Sequence, residues 1–148
     1  MIRYGKTTQT AISAMSRLAQ VYEDGVFLSS HDVAKSRDLP QTLVAKLLTT
    51  LSQAGLVTGS RGPGGGYSLA RPPSDICLLD IAGVFERQDG KVVCPFGPNW
   101  CGSETPCPLH EDYLAFAERF RKWQERTTLA VFSKEAKKDK ASKRAAAR

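Results

Sequence analysis

No run of apolar residues in this chain approaches the roughly 18 that a membrane-crossing helix needs, and the start carries no apolar stretch behind a basic cluster. The first absence argues against a membrane span. The second argues against a secretory leader, so a reducing cytosol is the expected setting. Paired carboxylates, a nucleophile beside a base and a Gly-Lys-Ser/Thr phosphate loop are missing as well, and no enzymatic chemistry is expected. Internal repeats are absent. Histidine is scarce, with two residues, and cysteine little less so, with four. Yet three of the cysteines and one of the histidines fall within residues 94–110.

That stretch reads Cys94-Pro-Phe-Gly-Pro-Asn-Trp-Cys101-Gly-Ser-Glu-Thr-Pro-Cys107-Pro-Leu-His110, too rich in proline and glycine for helix or strand. A folded domain has no packing reason to gather four soft ligands in an exposed loop. Three cysteines cannot all pair with one another, and in a reducing compartment such clusters bind metal more often than they form disulfides. Thiolates favour iron–sulfur clusters, zinc and Cu(I), and imidazole suits the first two. Structural zinc sites hold ligand pairs about two to four residues apart, whereas the gaps here are six and five residues. Wide loops suit a larger object, so a binuclear or tetranuclear iron–sulfur cluster is expected before a single small ion, with His110 able to complete a four-ligand set. A zinc site, a thiol switch and chance clustering beside a solvated His110 are the competing readings. Cys77 lies among Ile76, Leu78 and Leu79 and is expected to pack as a small hydrophobe.

An apolar content of 41% over 148 residues suits one ordinary domain, or a small domain with an appendage. The net charge of +6 is spread unevenly. Residues 1–73 hold eight Lys/Arg against four Asp/Glu, residues 74–133 six against nine, and residues 134–148 seven against two. Solubility accounts for such a balance. So does a polyanion faced by the first half and the tail but not by the middle. Nucleic acid fits that polarity better than a membrane surface, because no basic amphipathic face carries exposed large apolar residues.

Ala11, Ile12, Met15, Leu18, Ala19 and Tyr22 recur at three- and four-residue steps and predict a helix over 8–23, stopped by Gly25. A shorter helix is expected over 30–37, capped by Ser29 or Ser30 and broken by Leu39-Pro40. Pro40 suits the first turn of a third helix from Gln41 to Ala54, with Val44, Leu47, Leu48 and Leu51 buried and Gly55 as its stop. Leu56-Val57-Thr58 and Tyr67-Ser68-Leu69 flank a glycine-rich turn and read as a hairpin closed by Pro72-Pro73. Asp75 or Ser74 would cap a fourth helix holding Leu78, Leu79, Ile81, Ala82, Val84 and Phe85. After the cysteine loop, Tyr113, Phe116, Ala117, Phe120, Trp123 and Thr127 mark one face of a long helix over 111–128. That face is expected to meet either the interior or a second copy of the chain. The Lys/Ala-rich residues 134–148 read as a helical extension or a mobile tail.

Helix, helix, tight turn, helix and hairpin is the order of a winged helix-turn-helix, in which the helix after the turn enters the major groove. The third helix carries Gln41, Thr42, Ala45, Lys46, Thr49 and Gln53 opposite its apolar stripe. Thr, Gln and Lys suit base-edge and phosphate contacts, although any solvated helix face carries them too. Arg61-Gly-Pro-Gly-Gly-Gly-Tyr67 is more specific. Its glycines, Gly64 and Gly65 among them, keep the tip thin, and an arginine-headed tip suits a narrow minor groove. The expected fold is therefore mainly α: a winged helix-turn-helix over 1–73, a cysteine-bearing loop and long dimerisation helix over 74–133, and a basic tail over 134–148. A small iron–sulfur electron carrier, the reading from another class, leaves the wing and the basic first half unexplained.

The Arg61–Tyr67 wing after a helix-turn-helix, with the Cys94/Cys101/Cys107 loop before a long helix, resembles the bacterial Rrf2 family of transcription regulators over about residues 2–132. The resemblance implies a cytoplasmic homodimer, held by the long helix, that binds an inverted-repeat operator in double-stranded DNA. By position, Thr42, Ala45 and Lys46 would approach base edges and Arg61 would enter the minor groove. Cys94, Cys101 and Cys107 would hold an iron–sulfur cluster, and His110 matches the histidine that completes a two-iron cluster in the family's iron–sulfur assembly regulators. The family's nitric-oxide sensors take instead a carboxylate near the start of the first helix, where this chain has Gln9. A two-iron, histidine-completed cluster is therefore expected before a four-iron one.

Overall fold

The computed structural model describes residues 4–86, 94, 96 and 106–148. Six helices and one hairpin follow in the order α1 Lys6–Val21, α2 Ser30–Arg37, α3 Gln41–Gln53, β1 Val57–Ser60, β2 Gly66–Leu69, α4 Leu78–Phe85, α5 His110–Arg126 and α6 Ala130–Ala146 among the described residues.

α1 begins two residues earlier than its apolar period predicts and ends two earlier, because Tyr22–Asp24 tighten into a 3-10 turn. Gly25 closes that turn in the left-handed region (φ 66°), its N–H donating to the Tyr22 carbonyl. The N-terminus of α1 is closed from far away. The Glu86 carboxylate, just beyond α4, accepts the Gly5 N–H at 2.9 Å and the Thr8 hydroxyl, placing negative charge where the helix dipole favours it. α2 matches its predicted span, with the Ser29 hydroxyl accepting the Asp32 N–H at 3.1 Å. It ends at Arg37 because Asp38 turns left-handed (φ 52°) ahead of the Leu39-Pro40 break.

Two caps differ from the sequence expectation. Pro40 is the N-cap of α3 rather than a first-turn residue: its ψ of 119° is extended, and it enters the ladder only by accepting from Val44 N–H. α4 is capped by Cys77 rather than by Asp75 or Ser74, which belong to a 3-10 turn at Pro73–Asp75. The Asp80 carboxylate accepts the Cys77 N–H at 2.9 Å. Cys77 is also only partly buried, which corrects its expected place in the core. The chain is extended there, and side chains alternate: Ile76 and Leu78 point inward while Cys77 lies between them. The backbone of the same stretch pairs with the α5–α6 junction, Leu78 N–H to the Thr127 carbonyl and Leu129 N–H to the Ile76 carbonyl, each at 2.9 Å.

The hairpin is antiparallel, with Val57 opposite Leu69 and Ser60 opposite Gly66. Leu28 adds a short third strand, exchanging both backbone bonds with Tyr67. The core gathers Ala11, Met15 and Leu18 of α1, Val33 of α2, Val44, Leu48 and Leu51 of α3, and Ile76, Ile81 and Leu129 from further along. α5 differs from α1–α4: the only buried side chain in it is Gln124. Of its predicted stripe, Phe116 and Trp123 are 55% and 39% exposed, whereas Tyr113, Ala117, Phe120 and Thr127 are half-buried, so the stripe packs only in part inside this protomer. Residues 134–146 continue α6, which decides the tail in favour of a helical extension.

Leu48 is fully buried where α3 meets α1, so Leu48→Ala is expected to cost about 2–5 kcal/mol, read as a lower urea midpoint with an unchanged slope. A loss below about 1 kcal/mol would contradict this packing.

Candidate nucleic-acid interface and cysteine loop

On α3, Gln41, Thr42, Lys46, Thr49 and Gln53 are exposed and Ala45 is half-buried, so the polar stripe read from the sequence faces solvent. Gln41 Oε1 lies 3.3 Å from His31 Nδ1 in the first turn of α2, which brings the N-termini of α2 and α3 to one face. Sequence reasoning passed over His31, whose one signal was its place just after the Ser29 cap. The N-terminus of α3, with no side-chain cap and no acidic residue in its first turn, presents unsatisfied N–H groups and a positive dipole end, whereas that of α2 already holds the Ser29 cap and the Asp32 carboxylate.

The wing stands beside this face. Arg61 is exposed at its turn. Gly62 and Gly64 are left-handed (φ 91° and 74°). Gly65 is required for another reason: a Cβ there would stand 2.8 Å from the Gly62 carbonyl oxygen, whose acceptor bond to Gly65 N–H closes the turn. Gly66 (φ 143°) presses on the Leu28 carbonyl in the same way, at 2.5 Å. The wing glycines thus hold a narrow turn and let it dock on Leu28. Between the wing and α3 lies an open cleft of about 380 Å³, lined by Thr49, Ser52, Gln53, Arg61 and Tyr67.

Of the predicted cluster ligands, Cys94 is half-buried, Cys107 is buried and His110 is half-buried. Cys101 lies outside the described residues. Cys107 and His110 are coupled through the backbone, His110 N–H donating to the Cys107 carbonyl at 3.0 Å as α5 begins. Among the described residues no three His, Cys, Asp or Glu side chains converge as metal ligands, so Cys94, Cys107 and His110 are not gathered into one site without Cys101. The donor chemistry of the four, three thiols and an imidazole, fits an iron–sulfur cluster. Cys77 stands apart: burial, above all, pushes its thiol pKa up, the opposite of what a reactive thiolate needs.

An apolar groove of about 450 Å³ runs between α1, α5 and α6, lined by Tyr4, Ile12, Leu78, Trp123, Val131 and Phe132. The Tyr4 ring packs on Phe120, and Phe120 stacks on Trp123, each pair with centroids 5.7 Å apart. The Tyr4 hydroxyl accepts from Gln124 Nε2 at 2.9 Å. Neither residue of that last pair carried a sequence signal, because the contact spans 120 positions.

These features define a winged helix-turn-helix DNA-binding protein. Residues 4–135 match the Rrf2 family, described as iron-dependent transcriptional regulator, and the chain belongs to that family of regulators rather than to any enzyme class. The transcriptional repressor NsrR of Streptomyces coelicolor is 32% identical over 73% of this chain and 68% of its own length. The regulator IscR of Cereibacter sphaeroides is 38% identical over 52% of this chain, which spans about half of that relative. Among solved structures, CymR, the global cysteine regulator of B. subtilis, superposes with a TM-score of 0.77 at 24% identity, covering 91% of this chain and 98% of its own. IscR of T. potens follows at 0.72 and 25%, covering 91% and 88%. Both carry the fold.

Gly65→Ala forces the wing turn open and is expected to weaken DNA binding about tenfold, ~1.4 kcal/mol, while thermal unfolding changes little. Unchanged affinity in a fluorescence-anisotropy titration would show that the wing geometry is dispensable.

Proposed function

We propose that this regulator binds an inverted-repeat operator as a homodimer and that an iron–sulfur cluster held by Cys94, Cys101, Cys107 and His110 sets its operator affinity. A two-iron cluster is favoured over a four-iron one. The observation that carries the reading is the Cys107–His110 pair at the root of α5, the helix that leaves Phe116 and Trp123 exposed. A cluster, when bound, supplies an iron centre responsive to redox state and to small ligands. The chain's own residues supply the linkage. Glu86, the last described residue before the loop, closes the N-terminus of α1. α5 packs on α4, and α4 on both α1 and α3. A change in the 94–110 loop therefore bears on the recognition helix through packed elements. Turning such a switch from mostly off to mostly on asks for about 5 kcal/mol of preference for one geometry.

DNA contacts are assigned to Gln41, Thr42, Ala45, Lys46 and Thr49 on α3, and to Arg61, Gly64 and Gly65 on the wing. The long dimer helix presents Phe116 and Trp123 beside the apolar groove. No described helix is long and apolar enough to cross a membrane, and a bacterial cytoplasm is the proposed setting.

Trp123→Asp puts a charge on the uncovered face and is expected to convert dimer to monomer in sedimentation at micromolar concentration. A dimer that persists would place the contact elsewhere. For the cluster, Cys101→Ala purified without oxygen should lose visible absorbance together with iron and acid-labile sulfide, and Cys77→Ala should keep all three. If Cys101→Ala retains colour and operator affinity, the assignment is refuted; zinc without sulfide in the parent protein would favour a zinc-bound regulator.

A further inference from the structure

The family match stops at residue 135, but α6 continues to Ala146. Residues 134–148 carry seven Lys/Arg against two Asp/Glu. The near end of the helix is fastened to α1: Leu129 is fully buried, and Ser133 Oγ donates to the Ala19 carbonyl at 2.9 Å. Lys137 then reaches Glu23 at 2.9 Å and Lys140 reaches Asp24 at 3.1 Å. Both pairs are exposed and add little stability; the packing on α1 sets which way the helix faces. At 3.6 residues per turn, Lys137, Lys140 and Arg144 fall on one stripe, and Arg148, just past the end of α6, lines the same open face. The carboxylates of the turn serve only the first two, and Lys143, Arg144 and Arg148 meet no acidic partner among the described residues. The helix dipole favours Lys143 and Arg144 in the last turn only modestly and leaves both side chains exposed.

The place where α6 docks also matters. Asp24 precedes by four residues Leu28, the strand that bonds to Tyr67 of the wing, so at most about 14 Å of chain separates them. Arg144 lies one turn past Lys140, about 6 Å along the helix axis. Asp24, which Lys140 reaches, is thus four residues of chain from the wing's partner Leu28, and Arg144 and Arg148 continue the basic face beyond Lys140.

We propose that Lys143, Arg144 and Arg148 form a second, sequence-independent DNA contact that grips backbone phosphates flanking the operator. The inference rests on the DNA-binding reading above and adds to it a site outside the family's shared region. Its contribution is electrostatic, and it depends on salt and on duplex length rather than on base sequence.

The probe is a duplex selected by the full chain from a random-sequence pool. It is used trimmed to the protected core, and extended by about 10 base pairs, one helical turn, on each side. The triple variant Lys143→Gln, Arg144→Gln, Arg148→Gln keeps Lys137 and Lys140, and glutamine is a good helix former. On the extended duplex, the slope of log K against log salt should be shallower in the variant by about 0.9 for each phosphate that it no longer neutralises. On the trimmed core the two proteins should agree. Equal slopes on the extended duplex, or equal weakening on both lengths, would overturn the inference. Variant-sensitive binding to phosphatidylserine vesicles, with no flank effect on DNA, would assign the stripe to a membrane surface and overturn it too. If the full chain selects no duplex at all, the DNA-binding reading itself fails, a result distinct from a selected duplex that the variant binds normally.

Discussion

Burial of α1 on nearly every side is the constraint on which the rest of the molecule depends. Ala11, Ala14 and Ala19 are 0–1% exposed, and their small side chains let α2, α3, α4 and α6 approach the same helix. Met15 and Leu18 fill the remaining space between them. Interiors packed to this density pass displacement on rather than absorb it. The end of α4 cannot move without disturbing Glu86, and Glu86 closes the N-terminus of α1. The helix that supports the DNA-reading unit is thus bonded to the residue that leads into the cysteine loop.

The DNA-facing parts are set by few contacts. The Ser29 cap starts α2, and the His31–Gln41 contact ties α2 to the head of α3. Leu28 holds the wing through two backbone bonds to Tyr67. Gly65 and Gly66 sit where side chains would collide with backbone, so the narrow tip follows from sterics, and Arg61 is left exposed at its turn. α5 carries the opposite character. Its Glu118, Arg121 and Glu125 pair along the solvent side, and Arg121 holds the Glu118 carboxyl below its ordinary pKa. On its aromatic side Tyr4 covers Phe120, while Phe116 and Trp123 stay exposed within the protomer.

Much of this was legible in the residues. The period of Ala11, Met15, Leu18 and of Val44, Leu48, Leu51 shows which faces are buried, and Ser29, Gly25 and Gly55 mark their ends. The wing could be read because Arg61–Tyr67 is a local pattern. What escaped depends on distant partners. Pro40 as a cap rather than a first-turn residue is a matter of one ψ angle. Cys77 leaves the core because Thr127 and Leu129 straighten its backbone. The docking of α6 rests on buried Leu129 and on Ser133, whose partner Ala19 is more than a hundred positions away. Of the candidate cluster ligands, Cys107 and His110 are placed at the root of α5, whereas Cys101 falls outside the described residues.

The central claim is that occupancy of the cysteine loop governs the grip on DNA. It is tested most directly by comparing operator affinity in one oxygen-free preparation before and after chelation removes the iron. The visible spectrum should bleach as iron leaves, with affinity changing at least tenfold, about 1.4 kcal/mol. A colourless, sulfide-free preparation that binds its operator at full strength, unchanged by chelation, would contradict it.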